Sequence, residues 1–248
     1  MKAMVLAAGL GTRLRPLTDE RPKALVEVAG RTLLEITLTR LGEFGVHEAI
    51  VNVHHFADQV VDYLRAKQNF GMQIEVSREE VLLETGGGLK KAAWFFVENA
   101  SAPEEPFILH NVDVVSSIDL ARMVKSHAES QALATLAVQR RETSRYLLFN
   151  EQLQLCGRRA ARGQGEELVR PAQEPAALAF SGIHMISTRL VKMMKEEGVF
   201  SIIDTYLRLA GEGEKIQAFP ADEYYWRDLG TPESLRRAEE DLKHKVVR

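Results

Sequence analysis

The sequence of 248 residues contains a single cysteine, Cys156, which excludes an internal disulfide and favours a reducing compartment. It has no apolar run of the ~18 residues that a membrane-spanning helix needs, so no membrane partner is expected. Its formal net charge of −3 provides no global field that would attract nucleic acid. We therefore expect a cytoplasmic protein in which any anion site is a local patch.

The composition and the order of the elements predict the fold. Apolar residues make up 45% of the chain and charged residues 27%, which allows a real core under a polar surface. Strand and helix patterns alternate up to about residue 130, as in a parallel sheet with right-handed crossovers, and shorter strands follow. We predict an α/β fold with a doubly wound, mostly parallel, Rossmann-like sheet and a small β-rich portion, in one domain over residues 1–248.

The segment Leu6–Leu25 has the composition of an anion-binding loop. It follows the apolar run Ala3–Ala7, which we interpret as a buried strand rather than a signal peptide. It contains Gly9 and Gly11, two prolines and the four cations Arg13, Arg15, Arg21 and Lys23. Glycine lets backbone N–H groups approach an anion closely, and the cations add full charges. A loop of this length after a core strand is uncommon unless it is functional, so we predict a polyphosphate site.

Two familiar phosphate loops do not fit this segment. The dinucleotide fingerprint requires a third glycine where the sequence has Leu14. The P-loop requires a Gly-Lys-Ser/Thr sequence, which does not follow here. An ordinary surface loop rich in arginine is the alternative to a phosphate site.

Other candidate residues stand at the ends of elements. Asp113 follows the apolar run Pro106–Asn111, where open α/β sheets place their ligands, and a carboxylate there can hold a hard cation. The alternative for an isolated residue is a helix N-cap or a turn Asp. Asp228 precedes a hydroxyl N-cap and a helix-starting proline, and by itself it is equally a turn residue. The glycines of Glu84–Gly88 open a helix predicted over residues 89–97, either as a plain helix entry or for close approach to a base or ribose.

Three further expectations concern residues outside these motifs. Cys156 alternates with apolar neighbours as in a strand, which predicts an inert thiol. The polar stretch Gly157–Arg170 is expected to be a mobile loop. For the histidines, His47, His127 and His244 are expected on the surface, and His110 and His184 are expected to be packed in strands.

The block LAAGLGTRLRPLT at residues 6–18, followed by Pro22-Lys23-Ala24-Leu25, resembles the signature of the sugar-phosphate nucleotidylyltransferases, the NDP-sugar pyrophosphorylases. The later segments Glu84–Gly88, Phe180–Ile183 and Trp226–Thr231 resemble the branch that includes N-acetylmuramate-1-phosphate uridylyltransferase. The resemblance extends from Met1 to about Leu242 and is weakest across residues 140–178.

This resemblance implies Mg²⁺-dependent transfer of a nucleotidyl group from a nucleoside triphosphate, UTP favoured, to N-acetylmuramate-1-phosphate or a related hexose-1-phosphate. Arg13 and Lys23 are the implied catalytic cations. Asp113 and Asp228 are the implied metal ligands, although Val112 replaces the small residue usual before the first of them. The implied nucleotide-binding residues are Ala8, Gly9, Gly11, Thr12, Arg13, Lys23, Glu84, Thr85 and Gly86. The sugar-phosphate-binding candidates are Asn111, Glu174, Ser181 and Gly182.

The resemblance also implies a division of labour along the chain. Residues 1–130 would form the nucleotide-binding portion, and residues 131–248 the sugar-phosphate-binding portion with the C-terminal helix. A monomer or small homo-oligomer is expected. The alternatives are a mannose- or heptose-1-phosphate guanylyltransferase, a non-catalytic nucleotide-sugar sensor on the same scaffold, and, less favoured, a Rossmann dehydrogenase.

Overall fold

The computed structural model describes residues 1–98, 105–160 and 165–243. The strands are β1 (Lys2–Leu6), β2 (Glu27–Val28), β3 (Arg31–Thr32), β4 (Glu48–Val53), β5 (Gln73–Arg78), β6 (Pro106–Asn111), β7 (Val114–Ser116), β8 (Ala134–Gln139), β9 (Arg145–Phe149), β10 (Leu155–Ala160), β11 (Glu166–Leu168), β12 (Ala176–Ser187), β13 (Ile216–Pro220) and β14 (Trp226–Asp228). The α-helices are α1 (Leu33–Glu43), α2 (Ala57–Ala66), α3 (Glu84–Lys91), α4 (Ala93–Val97), α5 (Leu120–Ser130), α6 (Thr188–Met193), α7 (Ile202–Gly211) and α8 (Pro232–Lys243).

Ten of the described strands form one sheet, in the order β11-β10-β9-β12-β6-β1-β4-β5, with β8 beside β12 and β13 beside β8. Strand β1 pairs in parallel with β4 and β6, and β4 pairs in parallel with β5. The direction reverses where β6 meets β12. The predicted α/β fold with a Rossmann-like central sheet is confirmed, and every antiparallel pair within this sheet includes a strand from the second half of the chain. The functional division at residue 130 stays a prediction.

Both faces of the central sheet are covered, which explains the continuous apolar runs of its strands. Successive side chains of a strand point to opposite faces, so Val5 and Val51 enter one core while Met4 and Ile50 enter the other. Helix α1 packs on the first face with Leu34, Leu38 and Leu41, all fully buried. Helices α3, α4 and α7 cover the second face. This sandwich leaves the carboxyl edge of the parallel strands free for the connecting loops.

Helix ends follow the capping residues in the sequence. The Thr32 hydroxyl accepts a hydrogen bond from Glu35 N at 3.0 Å at the start of α1. The predicted start of α8 is confirmed, since Thr231 Oγ1 accepts from Ser234 N at 3.2 Å and Pro232 is the first helical residue. In the part of the chain that the structure describes, no helix is long and apolar enough to cross a membrane.

The mobile loop predicted over Gly157–Arg170 is wrong in the described residues. Strand β10 continues through Ala160, and β11 pairs with it in antiparallel register. The side chain of Arg158 bonds to Glu167 Oε2 and to Asp204 Oδ1, each at 2.7 Å. The ion pair with Glu167 crosses from β10 to β11, and the pair with Asp204 joins this hairpin to α7. Polar composition concealed the hairpin, and residues 161–164 lie outside the described ranges.

Two further predictions need correction. His127 is buried rather than exposed, because it faces β8 and its Nδ1 lies 2.8 Å from Thr135 Oγ1. The glycines of Glu84–Gly88 lie inside α3, which begins at Glu84 rather than after them. His110, His184 and the Cys156 thiol are buried as predicted, His47 is exposed as predicted, and His244 lies outside the described residues.

Candidate active site

The glycine-rich loop leaves the sheet at the end of β1. Gly11 has a φ of 64°, a conformation that favours glycine, and a Cβ there would lie 2.9 Å from Thr18 Cγ2 and 3.0 Å from Lys23 Cβ. The Thr18 hydroxyl donates to the carbonyl of Gly11 at 2.9 Å. The loop is therefore folded back on itself, which brings Lys23 against the glycine turn.

Lys23 and Asp113 form an ion pair at the carboxyl edge of the sheet. The lysine is only 7% exposed and lies on a short helical turn after Pro22. Asp113 follows β6 by two residues. Burial of an ammonium group is costly without a partner, so the carboxylate of Asp113 compensates the charge of Lys23 and each fixes the position of the other.

Asp228 and Arg13 complete the same edge. Strand β14 pairs with β7, so that Asp228 lies opposite Val114, and Leu229 N donates to the carbonyl of Asp113 at 2.8 Å. A Cβ on Gly230 would lie 2.6 Å from both Arg13 Nη2 and Asp228 Oδ1. Glycine at this position therefore allows the guanidinium and the carboxylate to lie close together. We call the set of Arg13, Lys23, Asp113 and Asp228 the charged edge.

The charged edge has the donor chemistry of a magnesium site that is completed by substrate. Among the described residues, no group of three or more His, Cys, Asp or Glu side chains could hold a metal ion. The two carboxylates stand on segments joined by the bond from Leu229 N to the carbonyl of Asp113, and Mg²⁺ is commonly bound through one or two carboxylates together with substrate phosphates. The residues fit that mode and do not fit an all-protein cage.

A buried hydrogen-bond chain, which we did not predict, connects the loop to α3. Ala7 N donates to Asn52 Oδ1 at 2.7 Å, and Asn52 Nδ2 donates to Glu79 Oε1 at 2.6 Å. The other carboxylate oxygen of Glu79 accepts from Leu83 N at 2.9 Å. Asn52 and Glu79 are 2% and 4% exposed. The sequence offered one signal, the amide side chain of Asn52 within the apolar strand Glu48–Val53. A single amide does not identify its partners.

Two predicted nucleotide-binding residues have other partners within the fold. Thr85 Oγ1 accepts from Ile202 N at 3.0 Å, and Gly86 N donates to the carbonyl of Phe200 at 2.9 Å. A Cβ on Gly86 would lie 2.3 Å from the ring of Phe200. These contacts pack α3 against the start of α7, and they explain the threonine and the glycine without a ligand.

Three of the four sugar-side candidates lie together. Gly182 has a φ of 74°, and a Cβ there would lie 2.9 Å from Asn111 Nδ2. In the described part of the chain, Asn111 Oδ1 and Ser181 Oγ are buried without a hydrogen-bond partner. Glu174 lies apart from them, exposed beside a shallow hollow next to the β9–β10 turn. The structure therefore brings together Asn111, Ser181 and Gly182 and not Glu174.

A cavity of about 870 Å³ reaches Phe180, the residue before Ser181 in the chain. We call it the large cavity. The described residues that line it lie between Thr143 and Asp204, apart from Glu84. Its lining residues include the aromatic residues Tyr146 and Phe180 and three arginines at positions 145, 158 and 159. The volume is in the range of small-molecule sites.

Arg141 connects the large cavity to the charged edge. Its guanidinium lies 3.7 Å above the ring of Trp226, and its Nη2 donates to the carbonyl of Phe180 at 2.7 Å. Trp226 Nε1 donates to the carbonyl of Ser181 at 2.7 Å. Burial lowers the pKa of Arg141, and the charge of Asp228 opposes that shift. The wall of the cavity is thus joined to the strand that carries Asp228.

Comparison with known proteins gives a consistent result along the whole chain. The nucleotidyl transferase family model matches residues 2–245. N-acetylmuramate alpha-1-phosphate uridylyltransferase from Caulobacter vibrioides is 36% identical over 249 residues, which cover 97% of this chain and 96% of the relative. Mannose-1-phosphate guanylyltransferase from Mycobacterium tuberculosis is 27% identical over 259 residues, 99% of this chain and 65% of the relative.

A solved structure shares the fold. UDP-glucose pyrophosphorylase from Acinetobacter baumanii superposes with a TM-score of 0.79 at 18% identity, covering 98% of this chain and 94% of that one. At that identity the likeness concerns the arrangement of strands and helices.

Proposed function

This chain belongs to the nucleotidyl transferase family and is a sugar-1-phosphate nucleotidylyltransferase, and we propose that it joins UTP to N-acetylmuramate-1-phosphate or a related hexose-1-phosphate. The family that residues 6–25 predicted is thereby confirmed. The Caulobacter relative, matched over nearly its full length, supports the choice of uracil and of N-acetylmuramate. The observation that carries the proposal is the convergence of two cations and two carboxylates at the charged edge.

The reaction requires positioning more than proton transfer. An anionic oxygen of the sugar-1-phosphate attacks the α-phosphorus of the triphosphate and forms a new P–O bond. The bond from that phosphorus to the bridging oxygen breaks, and pyrophosphate leaves with the electron pair. Since the nucleophile is already ionised, no general base is needed, and the barrier consists of anion repulsion and alignment.

We propose that the loop residues hold the triphosphate. Its backbone and side-chain contacts would come from Ala8, Gly9, Gly11, Thr12, Arg13 and Lys23. Gly9, Thr12 and Arg13 are exposed at the end of β1, where a ligand has access to them, and Lys23 lies against Gly11. In this arrangement Arg13 and Lys23 neutralise charge on the triphosphate and on the leaving pyrophosphate.

We propose that Asp113 and Asp228 hold a Mg²⁺ ion, which when bound would neutralise phosphate charge further. Lys23 keeps the Asp113 carboxylate in place at one oxygen. Gly230 N donates to Asp228 Oδ1 at 2.8 Å and orients the second carboxylate. The protein thus preorganises both oxygen donors before a ligand arrives.

The sugar phosphate would lie between the charged edge and the large cavity. The unpartnered oxygens of Asn111 and Ser181 and the close backbone at Gly182 support their assignment to the sugar side. Glu174 stays a prediction without such support. The nucleotide role of residues 1–130, the sugar role of residues 131–248, the cytoplasmic location and a monomeric or small oligomeric state also stay predictions.

The test is pyrophosphate release from ATP, CTP, GTP, UTP and dTTP in combination with N-acetylmuramate-, N-acetylglucosamine-, glucose- and mannose-1-phosphate, with MgCl₂ present. We expect the highest kcat/KM with UTP and N-acetylmuramate-1-phosphate. A preference for GTP and mannose-1-phosphate would instead support the guanylyltransferase, which the Mycobacterium tuberculosis relative favours as second candidate. Nucleotide-sugar binding without release from any pair would indicate a sensor and contradict the proposed reaction.

A further inference from the structure

Glu84 has a backbone conformation that its side chain does not favour. Its φ is 58°, in the left-handed region, where glycine is the unstrained residue. Strained non-glycine residues persist where the surrounding structure over-determines them, and they cluster at ligand sites. Seven other described non-glycine residues also have a positive φ, so the strain at Glu84 is informative only together with the position of Glu84 at the large cavity.

The hydrogen bonds on both sides of Glu84 fix this conformation. Leu83 N donates to Glu79 Oε2 at 2.9 Å, and Phe200 N donates to the carbonyl of Leu83 at 3.3 Å. On the other side, Gly86 N donates to the carbonyl of Phe200 at 2.9 Å. Contacts with Glu79, which follows β5, and with Phe200, which precedes α7, therefore hold the strained segment in place.

Glu84 is one of the residues that line the large cavity. Among the described residues its carboxylate has no hydrogen-bond or ion-pair partner. Arg158, on the same wall, bonds to Glu167 and Asp204. The acceptor oxygens of Glu84 are therefore free for a ligand in the cavity.

The other lining residues indicate the class of that ligand. The rings of Tyr146 and Phe180 offer apolar faces, and Ser201 offers a hydroxyl. A carboxylate acceptor beside aromatic rings fits a pyranose, which presents C–H faces together with hydroxyl or amide donors. The carbonyl of Phe180, held by Arg141, places this wall next to the strand of Asp228.

We propose that Glu84 is a specificity-determining residue for the acceptor sugar, whose hydroxyl or acetamido N–H donates to its carboxylate in the large cavity. This inference rests on the proposed function and moves Glu84 from the nucleotide side, where the sequence placed it, to the sugar side. A site built to hydrogen-bond a substrate donor rejects an analogue that lacks it, because the acceptor is then left unpaired.

The experiment compares Glu84→Gly and Glu84→Gln with wild type. For Glu84→Gly we expect the KM for the sugar-1-phosphate to rise roughly tenfold or more, and for Glu84→Gln by roughly threefold, because a neutral acceptor bonds more weakly than a carboxylate. The KM for the nucleoside triphosphate should stay within about twofold of wild type. Glu84→Gly should melt no lower than wild type, since glycine removes the strain.

Gln131→Gly is the matched control. Gln131 is exposed at the end of α5 with a φ of 51°, and it lies outside the large cavity. The control relieves the same kind of backbone strain, so it should leave both KM values unchanged. Calorimetric titration of N-acetylmuramate-1-phosphate into wild type and Glu84→Gly adds a readout that does not depend on turnover.

Three outcomes would overturn the inference. They are unchanged sugar binding in Glu84→Gly, a raised KM for the triphosphate instead of the sugar phosphate, and a lowered melting temperature with general loss of activity, which would make Glu84 a structural support. A wild-type protein inactive with every substrate pair would contradict the proposed function, whereas an active wild type with an unaltered Glu84→Gly would contradict this inference alone.

Discussion

The charged edge and the large cavity are held in place by different means. At the charged edge, backbone hydrogen bonds set the positions of the two carboxylates: β14 pairs with β7 so that Asp228 lies opposite Val114, and Leu229 N donates to the carbonyl of Asp113. At the large cavity, side-chain bonds between distant elements add to the strand pairing, as in the bonds of Arg158 to Glu167 on β11 and to Asp204 on α7. A site built by strand ends can be located from local sequence, while a site built by distant side-chain pairs cannot.

The largest expected effect is at the charged edge. Asp113→Asn keeps the shape of the side chain but removes a carboxylate from the proposed metal site and the counter-charge of Lys23. We expect kcat for pyrophosphate release to fall about 10²–10³-fold, as for loss of one preorganised electrostatic group. The control is Asp62→Asn, which alters an exposed pair with Arg65 and should leave kcat unchanged.

Two results would contradict a catalytic role of the charged edge. Wild-type kcat in Asp113→Asn would remove that carboxylate from the reaction. A loss of kcat accompanied by unfolding in circular dichroism would show that the ion pair with Lys23 serves stability rather than catalysis.

A smaller effect is expected from Gly230→Ala, which tests the close approach of Arg13 and Asp228. The new Cβ would displace the guanidinium or the carboxylate, because each lies 2.6 Å from its position. We expect kcat to fall roughly tenfold, since small misplacements in an active site are costly. Gly42→Ala is the control, because its Cβ would meet only Met72 Sδ at an ordinary 3.9 Å. Equal activity in the two variants would contradict the arrangement.

Two buried histidines, one near the charged edge and one near the large cavity, both have a lowered pKa. Burial lowers the pKa of His110, near the charged edge, to about 3, and that of His184, whose ring lies 4.5 Å from Phe180, to about 3. The charge of Arg40 adds to the shift at His110. Both rings are therefore neutral at working pH, which agrees with a reaction that needs no proton carrier.

The lowered pKa values of these two histidines make the free energy of unfolding depend on pH. A folded-state pKa below the unfolded value of about 6.5 means that the unfolded chain binds the proton first, so stability is full above pH 6.5 and declines as pH falls toward 3. Each such histidine contributes up to about 1.4 kcal/mol per pH unit in that window. Denaturant unfolding of wild type and His184→Gln between pH 7 and 5 should show a shallower slope in the variant, and parallel slopes would contradict a neutral His184.

The four members of the charged edge could be predicted because each belongs to a recognisable local pattern. Arg13 and Lys23 stand in the loop after β1, and Asp113 and Asp228 stand at strand ends. The structure places them together, and their roles in binding stay proposals. Sequence spacing alone does not explain why residue 230 is a glycine. The structure explains it, because Arg13 and Asp228 occupy the space that a side chain would need.

The features that sequence reasoning missed depend on contacts between distant residues. Asn52 and Glu79 are separated by 27 positions, and Arg141 and Phe180 by 39. Polarity suggested a loop at Gly157–Arg170, but pairing of β10 with β11 satisfies the backbone there. Strain at Glu84 is likewise invisible without coordinates, since φ is set by neighbours in the fold.

Hydrogen–deuterium exchange would test the separation of the two regions most directly. A non-hydrolysable UTP analogue with Mg²⁺ is expected to protect residues 7–25, and later addition of N-acetylmuramate-1-phosphate to protect the cavity wall at residues 143–147 and 201–204. Protection of the cavity wall by the nucleotide alone, with residues 7–25 unchanged, would contradict the account of a nucleotide at the charged edge and a sugar in the large cavity.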